Sequence, residues 1–146
     1  MIGRSKMLTA VILIAASVIV LAGCSSDRGA PDGSPLDGTQ WKLTEWTLSS
    51  LDPADFTITL RFAEGQVSGN SGVNTYSGTY QAGPDDAFSV GQIAATEMAG
   101  PEPAIRAESA YLTLLGQAAS FKLTSRRLTL YDQGGNESLL FDAAGY

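Results

Sequence analysis

Residues 56–62 read Phe-Thr-Ile-Thr-Leu-Arg-Phe, and their alternation decides the fold. Phe56, Ile58, Leu60 and Phe62 fall on one face of a period-two pattern, and the polar residues between them fall on the other. This spacing is typical of an antiparallel strand with one buried face. Shorter pairs repeat the pattern and can point at the same core: Trp41 with Leu43, Phe121 with Leu123, Leu128 with Leu130, and Leu139 with Phe141. Turn formers at residues 125–126 and 133–136 predict tight connections, so the C-terminal part reads as a meander.

One segment has helical periodicity instead. Pro101-Glu102-Pro103 places proline and a carboxylate where a helix can begin. Four residues then recur at helical spacing, with Tyr111 and Ala118 flanking them: Ile105, Glu108, Leu112 and Leu115. We expect a helix from Pro103 to Gln117, weakened or ended by Gly116. The other connections are too short for parallel crossovers. The sequence therefore predicts a single α+β domain, a mostly antiparallel β-sheet meander with one main α-helix packed on it.

Composition excludes several classes of function. The chain has 146 residues, 44% of them hydrophobic and 16% charged, which indicates one folded domain. Histidine, the commonest general base and metal ligand, is absent, and Cys24 is the single cysteine. We therefore expect no cofactor and no metal site. Without residues 1–23 the chain has seven basic and fifteen acidic residues, a net charge of −8, so nucleic acid is not an expected partner. Arg126-Arg127 is too short for a basic patch.

The N-terminal segment has the organisation of an export signal. Arg4 and Lys6 precede an uncharged apolar run from residue 7 to residue 22, which ends in Leu21-Ala22-Gly23-Cys24. This tetrad resembles the bacterial lipobox, and the resemblance implies cleavage before Cys24 and a diacylglyceryl group on its sulfur. We expect a lipoprotein signal peptide over residues 1–23, a flexible tether over 24–38 and the folded domain over 39–146. An uncleaved anchor helix and a secreted protein with a free Cys24 are the alternatives.

The expected location follows from this anchor. Two acyl chains suffice for stable attachment to a membrane, whereas a single chain holds only marginally. The protein would sit on the outer face of the cytoplasmic membrane, or on the outer membrane if the cell has two. In such a cell, Ser25 after the cysteine resembles the residue that permits release to the outer membrane. The negative charge of the domain should discourage it from lying flat on anionic lipid.

Residues 67–80 are rich in Gly, Asn and Ser, and by composition they predict a turn-rich connection. Within them, Ser71-Gly72-Val73-Asn74-Thr75-Tyr76-Ser77-Gly78-Thr79-Tyr80 resembles the signature of the META domain, the fold of HslJ-like heat-inducible envelope proteins. A second signature is matched by Ala95-Thr96-Glu97-Met98-Ala99-Gly100. Later family segments follow in order at residues 108–112, 128–130 and 139–141. The resemblance implies structural or binding roles for Ser71, Gly72, Asn74, Tyr76, Gly78, Tyr80, Thr96 and Met98.

The chain departs from the family at two positions. Many members have cysteine where this chain has Val73 and Gly100. If those cysteines pair in relatives, their joint absence here is the loss of one cross-link, and Val73 would pack where a sulfur otherwise sits. This departure argues against any role that needs a redox-active pair.

The resemblance implies a non-enzymatic, lipid-anchored cell-envelope protein linked to stress tolerance or envelope integrity, with no catalytic residues. An alternative is a ligand-binding or inhibitor module, which would contact an envelope protein or small ligand through the Gly69 to Tyr80 loop with exposed Tyr76 and Tyr80. The period-two spacing of these tyrosines favours core packing instead. A hydrolase is a third hypothesis, because Ser68-Gly69-Asn70 resembles part of a penicillin-recognising site. That hypothesis lacks a Ser-x-x-Lys nucleophile and a Lys-Thr-Gly partner.

Overall fold

The computed structural model describes residues 33–47 and 49–145 of the chain. The predicted signal peptide, Cys24 and the predicted tether as far as residue 32 lie outside the described residues. No helix within the described ranges is long and apolar enough to cross a lipid bilayer.

The described residues form nine strands and one α-helix. Their bounds in chain order are β1 Gln40–Trp46, β2 Thr59–Ala63, β3 Gln66–Asn70, β4 Thr75–Ala82, β5 Phe88–Val90, β6 Ala94–Ala95, α1 Glu102–Gln117, β7 Ser120–Leu123, β8 Arg127–Tyr131 and β9 Glu137–Ala143. All the strand pairs are antiparallel, in the order β5-β4-β3-β2-β1-β9-β8-β7, with β6 paired to β4. The predicted α+β class is confirmed.

The two ends of this sheet meet, so the sheet is a nearly closed barrel. Ala87 and Ser120 form an isolated bridge, and the Phe88 N–H donates to the Ala119 carbonyl at 3.0 Å. Inside, the ring of Phe88 lies 6.1 Å from that of Phe62 and 6.3 Å from that of Phe121. Closure covers the unpaired edge strands, and the aromatic rings fill the interior behind the junction.

β2 covers the second half of the predicted strand over residues 56–62, and Ile58 before it forms an isolated bridge with Ser71. Ile58, Leu60 and Phe62 are completely buried, and Phe56 is half-buried against the core. Both predicted hairpin turns are present. The Thr124 hydroxyl accepts from the Arg127 N–H at 2.9 Å, and an Asp132 carboxylate oxygen accepts from the N–H groups of Gly134 and Asn136 at 2.8 and 2.9 Å. The hydrogen bonds from Asn136 hold the pKa of Asp132 below its ordinary value.

The helix is where the sequence predicts it, and its buried face includes the predicted Tyr111 and Leu115 but not Ile105. Its buried residues are Ala107, Tyr111, Leu114 and Leu115, whereas Ile105 is 44% exposed. The helix begins at Glu102, one residue before the prediction, and runs through Gly116 to Gln117. The face was assigned from the large aliphatic side chains. The smaller Ala107 also packs against the core, because a methyl side chain permits a close approach of the helix.

Two further expectations need correction. Residues 67–80 are not a turn-rich connection, because they form most of the β3–β4 hairpin. Their Gly, Asn and Ser content lowers strand propensity, but burial of Val67, Tyr76 and Tyr80 on one face outweighs it. The packed domain also begins before the predicted boundary at residue 39. Leu36 is completely buried in the core, so the segment from 36 to 38 belongs to the domain and not to a tether.

Two glycines test how closely the strands pack. A Cβ atom on Gly69 of β3 would lie 2.0 Å from the Thr59 carbonyl oxygen, whereas one on Gly116 of α1 would meet nothing within 4 Å. We expect Gly69→Ala to lower the free energy of unfolding by about 2 to 3 kcal/mol, because backbone must move. Gly116→Ala, the matched control, should raise it by about 0.5 to 1 kcal/mol. Urea unfolding of both variants measures this, and equal effects would contradict the packing at Gly69.

Candidate functional site

The signature residues converge on the turn that joins β3 to β4. The Ser71 N–H donates to the Asn74 carbonyl at 2.8 Å, and the Gly72 N–H donates to the Asn70 side-chain oxygen at 2.8 Å. Gly72 has a φ of 116°, in the region that favours glycine. A Cβ atom there would lie 3.4 Å from the Ala104 carbonyl of α1. Glycine at position 72 therefore permits both the conformation of the turn and its close contact with the helix.

Glu108 of α1 accepts hydrogen bonds from this turn. Its carboxylate accepts the Ser71 hydroxyl, the Asn74 backbone N–H at 2.9 Å and the Asn74 side-chain amide at 2.8 Å. Burial alone would raise the pKa of Glu108, but the hydrogen bonds from Ser71 and Asn74, with a further one from the Val73 N–H, outweigh it and hold the pKa below its ordinary value. The group is therefore a carboxylate at neutral pH.

Asn74 connects the second signature to the first. Its side-chain oxygen accepts the Thr96 hydroxyl at 2.8 Å and the Met98 N–H at 2.7 Å. The Thr96 N–H donates in turn to the Thr75 carbonyl at 3.0 Å. Asn74 is 4% exposed, so its amide is held between the carboxylate on one side and the residue 96–98 segment on the other. We call Ser71, Asn74, Thr96, Met98 and Glu108 the Glu108 cluster.

A tyrosine pair lies beside the Glu108 cluster. The hydroxyl of Tyr76 donates to the Thr59 carbonyl at 2.9 Å and lies 2.6 Å from the hydroxyl of Tyr111. Tyr111 is therefore the donor between them, since the Tyr76 proton is already used. The rings meet edge to face at 5.6 Å. Burial raises the pKa of both tyrosines, so neither ionises near neutral pH.

The predicted site residues separate into three groups. Ser71, Gly72, Asn74, Thr96 and Met98 are brought together, although Met98 contributes only backbone groups and its side chain is 61% exposed. Tyr76 lies beside this group and is hydrogen-bonded to Tyr111 of α1. Gly78 and Tyr80 lie further along β4, where they line the core.

Tyr76 and Tyr80 are each 3% exposed. Core packing, which the period-two spacing favours, is therefore what the structure has at both positions. The alternative of a Gly69 to Tyr80 loop that presents these tyrosines to a ligand is wrong, because the segment is a hairpin whose aromatic side chains point inward. The hydroxyl of Tyr80 has no hydrogen-bond partner among the described residues.

Sequence reasoning missed the role of Glu108, which it assigned to an apolar face of the helix. A carboxylate in the middle of such a face is costly unless donors satisfy it, and this was the available signal. The donors could not be identified, because they come from a turn more than thirty residues earlier in the chain.

Val73 and Gly100, the two positions that depart from the family, are neighbours. A Cβ atom on Gly100 would lie 2.7 and 2.8 Å from the two methyl carbons of Val73, and 3.4 Å from its Cβ atom. The methyl groups thus occupy the space that a side chain at position 100 would need. A shallow cleft of about 460 Å³ opens beside them, lined in part by Phe56, Thr57, Pro101 and Pro103.

The chemistry available to the Glu108 cluster is limited. Ser71 is completely buried, and both oxygens of Glu108 accept hydrogen bonds from the chain itself. Within residues 33–47 and 49–145, no group of three His, Cys, Asp or Glu side chains could hold a metal ion. The arrangement is suited to fastening the β3–β4 hairpin, the residue 96–98 segment and α1 to one another.

The tyrosine pair gives a direct test of this fastening role. Tyr76→Phe keeps the ring but leaves the Thr59 carbonyl and the Tyr111 hydroxyl without their shared partner. We expect the free energy of unfolding to fall by about 1 to 2 kcal/mol, the cost of an unsatisfied buried group. Tyr131→Phe, at a tyrosine that is only partly buried on β8, is the control and should change it little. Thermal unfolding followed by circular dichroism measures both.

The chain resembles known proteins in both sequence and fold. The family model of the META domain matches residues 34–145. Among solved structures, a protein from Burkholderia xenovorans determined by NMR is 31% identical, with a TM-score of 0.64 over 76% of this chain and 85% of that one. A DUF4847 family protein from Bacteroides vulgatus shares the fold at 16% identity and a TM-score of 0.55, over 74% of this chain and 94% of that one. Nothing among curated proteins matches the chain.

Proposed function

The chain belongs to the META domain family, and from this premise we propose that it is a lipid-anchored, non-enzymatic protein of the bacterial cell envelope that contributes to stress tolerance. The observation that carries the non-enzymatic part is the satisfaction of the Glu108 cluster. Its carboxylate and its buried hydroxyl are occupied by hydrogen bonds within the chain. An active site instead keeps a nucleophile or base accessible to substrate.

The anchoring part is supported by the sequence Leu21-Ala22-Gly23-Cys24 after a short apolar run. Mass spectrometry of the N-terminal peptide of the mature protein tests it. The expected peptide begins at Cys24 and carries a diacylglyceryl group. A chain that retains its first 23 residues, or that leaves the cell with a free thiol, would overturn the proposal.

The role in stress tolerance is supported by the likeness to HslJ-like heat-inducible envelope proteins. A deletion strain complemented with the wild-type chain or with Cys24→Ala tests it. We expect the wild-type chain, and not the unanchored variant, to restore survival after heat or envelope-damaging agents. Equal survival of the deletion and wild-type strains would contradict the role.

A partner in the envelope is best sought by comparing anchored and unanchored protein. Crosslinking in intact cells followed by purification should recover partners from the wild-type chain that are absent with Cys24→Ala. A covalent active-site probe that labels the folded domain would contradict the non-enzymatic part.

A further inference from the structure

The cations of the domain are gathered on one outer surface of the barrel. Six lysine and arginine residues occur within residues 33–47 and 49–145, and five of them lie on β2, β1, β7, β8 or the β7–β8 turn: Lys42, Arg61, Lys122, Arg126 and Arg127. All five are exposed. The sixth, Arg106, is on α1. We call the first five the basic face.

Strand pairing places these side chains side by side. Lys42 of β1 and Arg127 of β8 lie on either side of Asp142 in β9, and Arg61 is paired with Gln40, two residues from Lys42. Lys122 pairs with Thr129, two residues along β8 from Arg127. Adjacent strands are about 4.8 Å apart, so the basic face spans about 20 Å across five strands. Arg126-Arg127, too short to be a basic patch in the sequence, becomes part of one in the fold.

Few carboxylates balance this surface. Of the thirteen Asp and Glu residues within the described ranges, Glu45 and Asp142 lie among the five cations. Asp142 accepts from the Arg127 guanidinium at 3.2 Å, in an exposed ion pair. Asp37 and Glu64 lie at the nearby end of β2. The protein as a whole is acidic, yet the five cations exceed the two carboxylates among them by three charges, and by one charge when Asp37 and Glu64 are counted as well.

The chain enters the folded domain beside the basic face. The Gly38 N–H donates to the Phe62 carbonyl at 2.9 Å, which places this part of the chain beside Arg61. Cys24 precedes the first described residue, Gly33, by nine positions. A chain of that length reaches about 30 Å at most. A lipid on Cys24 would therefore hold the basic face within reach of the membrane surface.

We propose that the basic face is a membrane-docking surface that binds anionic lipid headgroups, and that it turns the opposite side of the domain, with α1, away from the bilayer. This inference rests on the proposed lipid anchor for its geometry. Cations near an anionic surface are attracted to it, and anchoring raises their effective concentration there. The domain would then contact anionic lipid through this face, although its net charge is negative.

The experiment uses the full, lipidated protein reconstituted into vesicles of phosphatidylcholine, with or without phosphatidylglycerol. Thiols are introduced at Ser125 in the β7–β8 turn or at Ser109 on α1, both of which are exposed. Because the lipid occupies the native sulfur, a fluorophore attaches only to the introduced thiol. Quenching by nitroxide headgroups reports contact with the membrane. We expect stronger quenching at position 125 than at 109, only with phosphatidylglycerol, and loss of the difference at high salt.

Two single substitutions provide the matched comparison. Arg126→Gln should weaken the docked orientation by about five-fold, the effect of one cation near an anionic surface, whereas Arg106→Gln on α1 should leave it unchanged. Quenching that is equal at positions 109 and 125, that does not depend on phosphatidylglycerol, or that Arg126→Gln leaves intact would overturn the inference. Preference for an acidic protein over the vesicles would overturn it as well.

The same experiment separates the anchor from the docking surface. A lipidated chain floats with vesicles of either composition, so failure to float with neutral vesicles contradicts the proposed function. The unanchored chain is then mixed with both kinds of vesicle and sedimented. Sedimentation with the anionic vesicles, reduced by Arg126→Gln, would still support the basic face, and its absence would overturn the inference.

Discussion

Replacing Glu108 by alanine is expected to lower the free energy of unfolding by about 3 kcal/mol, because two N–H groups lose their charged acceptor together. These are the backbone and side-chain N–H groups of Asn74, whereas the Ser71 hydroxyl keeps the Asn74 carbonyl as an acceptor at 2.8 Å. Ser71 is completely buried and Asn74 is 4% exposed, but Glu108 itself is only half-buried, so water that takes its place offsets part of the loss. Urea unfolding gives the change directly. A net stability of about 5 to 15 kcal/mol is usual for such a domain, so this loss would be a large part of it.

The dependence of this effect on pH follows from the lowered pKa of Glu108. A carboxyl whose pKa is lower in the folded state stabilises the fold at pH values above its unfolded pKa, and the stabilisation is lost as the pH falls through the folded value. The stability difference between the wild-type chain and Glu108→Gln should therefore be largest near neutral pH and shrink in acid. Asp132, whose pKa is also lowered, is present in both proteins and cancels from the comparison.

Glu102 supplies the matched control on the same helix. Its carboxylate lies 3.8 Å from the Arg106 guanidinium, and both side chains are largely exposed. Exposed pairs of this kind contribute little, so Glu102→Gln should change the free energy of unfolding by less than about 0.5 kcal/mol. Similar losses for Glu102→Gln and Glu108→Gln, or a difference for Glu108→Gln that does not vary with pH, would contradict the role assigned to the Glu108 cluster.

The strands and turns could be predicted because their signals are local. The alternation from Phe56 to Phe62 and the Gly134-Gly135 turn each specify structure within a few residues. The β3–β4 hairpin was harder, since its Gly, Asn and Ser residues indicate turns, and the burial of Tyr76 that makes it a strand depends on α1. The prediction for α1 placed Ile105 on the buried face and left out Ala107 for a related reason. Ala107 gives a weaker apolar signal than Ile105, and the contact that buries it comes from elsewhere in the fold.

Most residues of the candidate site could be predicted from the sequence, but its central residue, Glu108, could not. The likeness to the META signatures selected Ser71, Asn74 and Thr96, which do meet. Glu108 holds Ser71 and Asn74 through hydrogen bonds between residues that are 37 and 34 positions apart, and Asn74 in turn holds Thr96. The basic face could not be predicted from the sequence either, because strand pairing, and not the order of residues, brings Lys42 close to Arg127. Properties that depend on the register between distant strands cannot be predicted from one sequence.

The paired substitution Val73→Cys/Gly100→Cys is expected to form a disulfide and to raise the free energy of unfolding by about 3 to 4 kcal/mol. A Cβ atom on Gly100 would lie 3.4 Å from the Cβ atom of Val73, close to the lower end of the range of about 3.5 to 4.5 Å found in disulfides. The bond would close a loop of 28 residues, from 73 to 100, and so reduce the entropy of the unfolded chain. A Cys24→Ser background leaves the introduced thiols as the only ones.

The single substitutions show why both changes are needed. Gly100→Ala alone places its methyl group 2.7 and 2.8 Å from the methyl carbons of Val73, so it should destabilise the domain by about 1 to 2 kcal/mol. Val73→Ala/Gly100→Ala removes that clash without adding a bond, and it should unfold near the wild-type midpoint. The gain in the cysteine pair should disappear when the protein is reduced. Two free thiols after oxidation, or a gain that survives reduction, would mean that positions 73 and 100 are not juxtaposed in the folded protein.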